Sequence, residues 1–203
     1  APMLAAILME CPTEELVVAD DVTLRDMAPG DVKVKIAHSG VCHSDLSAMN
    51  GTIPQAPPAV LGHEGAGVVT DVGDGVTHVV PGDHVIIAFS PPCGTCPFCT
   101  GRNQPNLCIN GLIAMGSNPQ FRRGDTVVGA MTGCGTFAEE TIVPGMAAVK
   151  IDKDVPLDVA ALVGCGVTTG VGAALNTAKV TPGSSVLVIG AGGVGVAAIQ
   201  GAR

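Results

Sequence analysis

The chain has 203 residues, of which 47% are apolar and 14% charged, and its net charge is -8. This composition excludes a disordered chain, the apolar runs are too short to span a bilayer, and the length suffices for one good core or parts of two domains. The acidic residues are dispersed, and the net negative charge argues against nucleic acid or an anionic membrane as a partner.

The first segment, residues 1–10, contains an apolar run without basic residues before it. We therefore expect a strand there and not a secretory signal. Eight cysteines in a chain without such a signal favour metal chemistry in a reducing, cytoplasmic compartment over a disulfide framework.

Up to about residue 150 the chain is predicted to be β-rich, because short apolar or alternating runs are separated by Pro and Gly turns. A barrel or a sandwich is the default architecture for this pattern. The expected strands are 3–9, 32–37, 67–72, 84–88 and 137–143.

The character of the sequence changes near Pro156, where Ala, Leu and Gly become frequent. A single strand cannot bury both of its faces, so the second domain is expected to be incomplete in this chain. The elements predicted here are helices over 157–162 and 167–177, a buried parallel strand over 185–189, a glycine-rich turn over 190–195 and a helix over 196–202.

Four cysteines are closely spaced in the run CGTCPFCTGRNQPNLC, namely Cys93, Cys96, Cys99 and Cys108. Such spacing suits a tetrahedral zinc whose positions are all filled by protein and which braces a loop lacking its own core. An iron–sulfur cluster also uses four thiolates. Two disulfides are the weaker alternative, because neighbouring cysteines would compete for partners in a tight turn. Structural zinc is the favoured interpretation.

Three further segments carry possible metal ligands: GVCHSD with Cys42, LGHEGAG with His63 and VGCGV with Cys165. Taken singly, a buried cysteine packs as a small hydrophobe and a lone histidine is usually structural. Their separation in sequence means that spacing alone does not connect them.

The order of these motifs resembles a known family. The run Gly62-His63-Glu64, followed by Gly67, Gly73 and Val76, resembles the signature of the zinc-dependent, medium-chain alcohol dehydrogenases. Residues 41–45 and 164–170 resemble the family's first and third ligand segments, and the four-cysteine run lies between the second and third ligands, as in the family. The resemblance extends to Gly195 and is nearest to the class III and aryl-alcohol branch.

This resemblance implies a mixed fold. A β-rich GroES-like catalytic domain would cover residues 1–155, with a structural zinc lobe at about 91–110. The start of a Rossmann α/β cofactor domain would cover 156–203.

The resemblance also assigns site residues. Cys42, His63 and Cys165 would bind a catalytic zinc with a fourth position open for the substrate oxygen. Asp45 would orient the ligand histidine, Glu64 would lie behind the zinc, and Ser44 would accept the alcohol proton. His43 would approach the cofactor pyrophosphate or join the proton relay. Ser47 stands where some members carry a relay histidine, so the proton would leave by another route or through water.

A glycine-rich fingerprint, GAGGVG, follows the predicted buried strand and opens a helix. This context indicates dinucleotide binding, with the pyrophosphate at the helix N-terminus. The resemblance favours NAD, which most members of the family use. NADP stays an alternative, because the position that distinguishes the two cofactors would lie beyond the last residue. The implied cofactor residues are His43, Thr169, Gly190, Gly192, Gly193, Val194 and Gly195.

The expected function is reversible hydride transfer between a primary or aromatic alcohol and NAD, with two zincs per subunit in a homodimer or homotetramer. A thiol-dependent formaldehyde dehydrogenase is an alternative, although residues 52–60 contain no acidic group. An inactive zinc-binding fragment is another. The complete ligand sets argue against the zinc-free quinone reductase branch. Cys11 and Cys134 are interpreted as plain core or surface residues, and His38, His78 and His84 as surface or strand residues.

Overall fold

A computed structural model describes residues 1–114 and 118–203. Ten strands and six α-helical segments are named in chain order. They are β1 (Met3–Leu8), β2 (Val17–Leu24), β3 (Asp31–Gly40), α1 (His43–Met49), β4 (Ala59–Val60), β5 (Glu64–Val72), β6 (His84–Ile87), α2 (Pro97–Thr100), α3 (Ile109–Ala114), β7 (Asn118–Arg123), β8 (Thr126–Ala130), β9 (Glu140–Pro144), β10 (Ala148–Ile151), α4 (Leu157–Leu162), α5 (Thr168–Gly172) and α6 (Gly193–Ala202).

Five strands form a closed barrel in the order β1-β2-β7-β8-β4. The short β4 closes it, because it pairs antiparallel with β1 and parallel with β8. Ile7, Val22 and Phe121 fill the interior and are fully buried. Each such side chain contributes about 1.5–3 kcal/mol through its removal from water.

The other five strands form an antiparallel sheet in the order β10-β6-β5-β3-β9. Its longest pairing joins β3 to β5, in a register that sets Gly40 opposite Glu64 and Ser39 opposite Gly65. The end of β3 therefore lies beside the start of β5, which brings the Cys42 and His63 segments together.

One continuous helix, Leu157–Thr177, packs on this sheet. It contains α4 and α5, each followed by a wider π turn, at Val163–Val167 and Ala173–Thr177. Ala160 and Ala161 are buried against the sheet. Within the described residues this helix has the length and apolar composition of a membrane span, contrary to the expectation from the sequence that the apolar runs are too short; core helices of soluble proteins pass the same test.

The mixed architecture predicted from the sequence is confirmed, with several differences in detail. The two helices predicted at 157–162 and 167–177 are one helix. β9 begins at Glu140 and not at 137, because the Phe137 N–H donates to the Leu61 carbonyl instead of joining the ladder. The last helix begins at Gly193, three residues earlier than predicted.

The predicted strand at 185–189 pairs with no strand in the described part of the chain. A strand needs a neighbour to receive its N–H and C=O groups, and none of the described segments lies alongside. Leu187 and Ile189 are consequently 84% and 92% exposed.

Candidate functional site

Cys42 stands at the junction of β3 and α1, where it is the residue that precedes the first helical turn. Its N–H donates to Asp45 Oδ2 at 2.9 Å, and its Sγ lies 3.7 Å from Ser44 Oγ. Partial burial raises the pKa of the Cys42 thiol, but hydrogen bonds from Ser44 and the nearby His63 lower it overall. The junction thus favours the thiolate, the form that binds metals.

Asp45 is a buried carboxylate that ties two distant segments together. Besides the Cys42 N–H, it accepts the Gly62 N–H through Oδ1 at 3.1 Å. The same oxygen lies 3.4 Å from His63 Nδ1, too far and too poorly directed for a good hydrogen bond. Because Nδ1 faces Asp45, Nε2 is the ring nitrogen left free for a ligand.

His63 immediately precedes β5 and is 2% exposed. The ring of Phe89 meets it edge to face, with centroids 5.8 Å apart. Burial lowers the pKa of His63, but the Asp45 carboxylate and Cys165 together raise it to about 10.

Glu64, the first residue of β5, and Cys165, in the long helix, complete the cluster. Cys165 lies in the π turn Val163–Val167 of the long helix. Glu64 is buried, and its Oε1 accepts the Gly166 N–H at 3.2 Å. This hydrogen bond joins the start of β5 to the helix that carries the second cysteine.

Four donor atoms therefore converge. The thiol sulfurs of Cys42 and Cys165, a ring nitrogen of His63 and a carboxylate oxygen of Glu64 all lie within 4.8 Å of one another. Thiolates that share one zinc are separated by about 3.8 Å when the bonds are about 2.3 Å long. The sulfur, nitrogen and oxygen donors and the electrostatics of the cluster fit a zinc ion.

The four-cysteine lobe forms a second group, in which Cys93, Cys96, Cys99 and Cys108 also place their sulfurs within 4.8 Å of one another. Cys96 Sγ lies 3.6 Å from Cys99 Sγ and 3.8 Å from Cys108 Sγ. These separations match a shared zinc and exceed the length of a disulfide. All eight cysteines of the chain are free thiols.

Backbone N–H groups surround the sulfurs of this lobe. Cys93 Sγ accepts the N–H of Cys96 at 3.3 Å, and Cys108 Sγ accepts those of Cys93 and Gly111 at 3.2 and 3.3 Å. The hydroxyl and N–H of Thr95, with the Cys96 N–H, lower the pKa of Cys93 to about 5. Burial raises the pKa of Cys99 to about 11.

A cavity of about 550 Å³ separates the first metal-ligand group from the glycine-rich turn. One wall contains Cys42, His43 and Glu64, and another contains Gly192, Gly193 and Val194. Gly190 and Gly195 lie outside the lining. Gly190 has a φ of +98°, and a Cβ on Gly195 would collide with the Gly190 carbonyl. The turn thus presents the N-terminus of α6 to the cavity.

Of the remaining candidates from the sequence, His43 lines this cavity, and Ser44 and Thr169 do not. His43 is exposed, and Ser44 is half-buried beside Cys42. Thr169 is exposed on α5 and is not part of the cavity wall. Phe89, which contacts the ligand His63, escaped the sequence analysis because it stands in no motif, whereas Gly166, which donates to Glu64, lies in the segment that carries Cys165.

Comparisons with known proteins agree with this geometry. The family described as alcohol dehydrogenase GroES-like domain matches residues 28–153. An S-(hydroxymethyl)glutathione dehydrogenase from Photobacterium damsela subsp. piscicida is 47% identical over 88% of this chain and 51% of its own length. One from Escherichia coli O1:K1 / APEC is 46% identical, with the same coverage.

Solved structures give the same picture. An alcohol dehydrogenase zinc-binding domain protein from Burkholderia ambifaria superposes with a TM-score of 0.92 at 31% identity, over all of this chain and 56% of its own. Benzyl alcohol dehydrogenase from Acinetobacter calcoaceticus superposes with a TM-score of 0.88 at 32% identity, over all of this chain and 55% of its own. The chain thus spans about half the length of the relatives that it matches.

Proposed function

Since this chain belongs to the zinc-dependent, medium-chain alcohol dehydrogenase family, we propose that it carries the catalytic half of a nicotinamide-dependent oxidoreductase. The reaction is reversible hydride transfer between a primary or aromatic alcohol and NAD, which yields an aldehyde. One observation carries the proposal: the metal-ligand group of Cys42, His63, Glu64 and Cys165 borders the same cavity as the glycine-rich turn.

In this proposal Cys42, His63 and Cys165 hold the catalytic zinc, which supplies Lewis acidity to the substrate oxygen. Glu64 lies beside these donors and fixes the Cys165 segment through the Gly166 N–H. Asp45 sets the orientation of the His63 ring. The four-cysteine lobe holds a second, structural zinc, so we propose two zincs per subunit.

Ser44 is proposed to accept the proton of the alcohol. Its hydroxyl lies 3.7 Å from Cys42 Sγ, close to the metal-ligand group, and is half-buried. Ser47 follows one turn later on α1 in place of a titratable group, so we propose that the proton leaves through water.

NAD is proposed to bind across the cavity, with its pyrophosphate at the N-terminus of α6. The free N–H groups and positive dipole end of a helix favour an anion there. Gly190, Gly192, Gly193, Val194 and Gly195 would form this turn, with His43 on the facing wall and Thr169 beside the nicotinamide. The preference for NAD over NADP rests on the family. We propose a boundary near residue 155 between the catalytic and cofactor domains.

A thiol adduct of formaldehyde is the second candidate substrate. The 46–47% identity to S-(hydroxymethyl)glutathione dehydrogenases favours it. The structural likeness to benzyl alcohol dehydrogenase and the lack of acidic residues in 52–60 favour an aromatic alcohol. We propose a primary or aromatic alcohol; turnover rates measured side by side with benzyl alcohol and S-(hydroxymethyl)glutathione decide between the two candidates.

The eight free thiols support a reducing compartment, which we propose is the cytoplasm. A homodimer or homotetramer is proposed from the family. The acidic net charge supports a small-molecule substrate over nucleic acid or an anionic membrane.

Native mass spectrometry tests the metal assignment. The chain should carry two zincs, and Cys42→Ala should carry one while the lobe keeps its own. Where turnover is measured, Cys42→Ala should lower it about a thousandfold, since loss of a metal's Lewis acidity costs several kcal/mol. Cys11→Ala is the matched control, because Cys11 donates to the Ala48 and Met49 carbonyls and belongs to neither metal-ligand group of the described residues. A Cys42→Ala chain that retains two zincs would overturn the assignment.

A further inference from the structure

Two glycines flank His63 and Glu64, and one threonine occupies the space beside both. A Cβ on Gly62 would lie 2.6 Å from Thr136 Oγ1, and a Cβ on Gly65 would lie 2.5 Å from Thr136 Cγ2. Neither distance is tolerated in a packed interior. Thr136 itself is 1% exposed, so its side chain fills the room that the two missing side chains leave.

The backbone at Thr136 and Phe137 is hydrogen-bonded to the residues that lead into His63. The Thr136 N–H donates to the Gly62 carbonyl at 3.0 Å, and the Phe137 N–H donates to the Leu61 carbonyl at 3.0 Å. Asp45 accepts the Gly62 N–H. The residue before His63 is therefore held at its N–H by Asp45 and at its carbonyl by Thr136.

The hydroxyl of Thr136 reaches β3, the strand that leads to Cys42. Thr136 Oγ1 lies 2.7 Å from Ser39 Oγ. Ser39 is three residues before Cys42 and pairs with Gly65 in the β3–β5 register. One side chain thus contacts the strand that leads to Cys42 and the segment that carries His63.

We propose that Thr136 is a positioning residue for the metal centre, whose hydrogen bond to Ser39 and packing over Gly65 fix His63 relative to Cys42. The inference rests on the proposed catalytic zinc. Thr136 does not touch the donor atoms; it acts through the two strands. Partners that orient ligands commonly change metal affinity by 10–100-fold when they are removed.

The test compares three variants of the whole chain loaded with zinc or cobalt. Thr136→Val keeps the shape and loses the hydroxyl, and Thr136→Ser keeps the hydroxyl. Thr141→Val is the matched control. Thr141 lies on β9 and is equally buried, but its hydroxyl donates to the Cys134 carbonyl at 2.6 Å. The readouts are metal release to a chelating dye from each site and the cobalt absorption bands.

We expect Thr136→Val to release the metal of the Cys42 group roughly tenfold faster and to shift its cobalt bands. Thr136→Ser should restore most of the wild-type behaviour, and Thr141→Val should leave both readouts unchanged. Release from the four-cysteine lobe should be the same in all variants.

A wild-type release rate and unchanged bands in Thr136→Val would overturn the proposal, as would an equal effect of Thr141→Val. If Thr136→Val does not fold, Ser39→Ala removes the same hydrogen bond by changing the half-exposed partner. A wild-type rate of metal release in Ser39→Ala would overturn the role of that bond. A wild-type chain that binds one metal, in the lobe only, would defeat the proposed function, and this inference with it.

Discussion

The two cysteine-rich regions hold their donors in opposite ways. In the four-cysteine lobe all donors come from one stretch, 93–108, and backbone N–H groups point at the sulfurs. In the Cys42 group the donors come from three segments far apart in sequence, and two buried carboxylates, Asp45 and Glu64, hold them. The Cys42 group opens onto the cavity that it shares with the glycine-rich turn, whereas the lobe borders a separate cavity through Cys93.

This difference distinguishes a lobe whose folding would depend on a bound ion from a metal-ligand group that the folded strands and helix bring together. The lobe has little apolar burial of its own beyond Cys96 and Cys108, so the proposed zinc would provide the cross-link that its fold needs. The Cys42 group depends on the register of β3 and β5 and on the helix that carries Cys165. Damage to the first should appear as lost folding, and damage to the second as lost metal binding in a folded protein.

The largest expected effect is that of Cys96→Ala. Loss of a structural metal is among the changes that cost more than about 4 kcal/mol, so the lobe should unfold and become a protease target. Zinc content should fall from two to one, with the Cys42 group still loaded. Thermal unfolding and limited proteolysis measure this, and Cys11→Ala again serves as the control. A variant with two zincs and a wild-type midpoint would contradict the structural role.

Thiol reactivity at different pH values sharpens the comparison inside the metal-free protein. Hydrogen bonds from Thr95 and Cys96 lower the pKa of Cys93 to about 5, whereas complete burial raises the pKa of Cys134 to about 12. Because the thiolate is the nucleophile, iodoacetamide should modify Cys93 at neutral pH. A rate that falls only as the pH drops through about 5 would mean that the lobe keeps these contacts without metal, whereas a rate that falls near the ordinary thiol pKa of about 8.5 would mean that the lobe unfolds without it. Cys134 should stay unmodified until the protein unfolds.

Zinc should protect Cys93 in the same assay, which mass spectrometry of peptides follows directly. Equal labelling of Cys93 and Cys134 in folded, metal-free protein would show that the N–H groups of the lobe do not stabilise a thiolate.

Asp45→Asn is expected to have an intermediate effect. The amide keeps the shape of the carboxylate but loses the charge beside His63, so metal affinity at the Cys42 group should fall by 10–100-fold while the lobe is unaffected. Asp31→Asn is the control, since Asp31 is also a buried carboxylate, paired with Arg25 at 2.6 Å. Competition with a chelator measures both sites, and equal effects of the two variants would argue against an orienting role.

The smallest expected effect is that of Gly170→Ala, at the contact between α5 and α6 behind the cavity wall. A Cβ on Gly170 would lie 2.6 Å from Ala197 Cβ and 2.7 Å from the Ala198 nitrogen of α6. Gly170→Ala should therefore cost about 1 kcal/mol through overpacking and weaken NADH binding. Gly172→Ala should not, because its nearest neighbour would be Asn176 Nδ2 at 3.8 Å. Unfolding midpoints and NADH fluorescence compare the two variants. Identical results would mean that the packing of α5 against α6 adjusts freely.

The sequence predicted local features more readily than long-range ones. Alternating runs located β1, β3 and β6, and the mixed fold is confirmed. The cysteines of the lobe could be grouped by spacing, because their backbone is continuous. Grouping Cys42, His63 and Cys165 required a family resemblance, since only the β3–β5 register and the helix packing bring them together.

Other features could not be predicted, for definite physical reasons. The apolar run at 185–189 has the composition of a buried strand, but a strand also requires a partner, which the described residues do not provide. The π turn at Val163–Val167 leaves no mark in the apolar periodicity. Gly62 and Gly65 indicate a close approach, yet nothing in the sequence identifies Thr136 as the side chain that makes it.

The π turn at Val163–Val167 also sets the angular phase of the helix that follows. Such a turn accommodates an additional residue, and each residue rotates an α-helix by about 100°. Deleting one residue there would restore regular α geometry but turn Gly170 away from α6. Chain length within this turn is therefore as constrained as residue identity, whereas the exposed connection at 152–154 can absorb insertions without rotating anything.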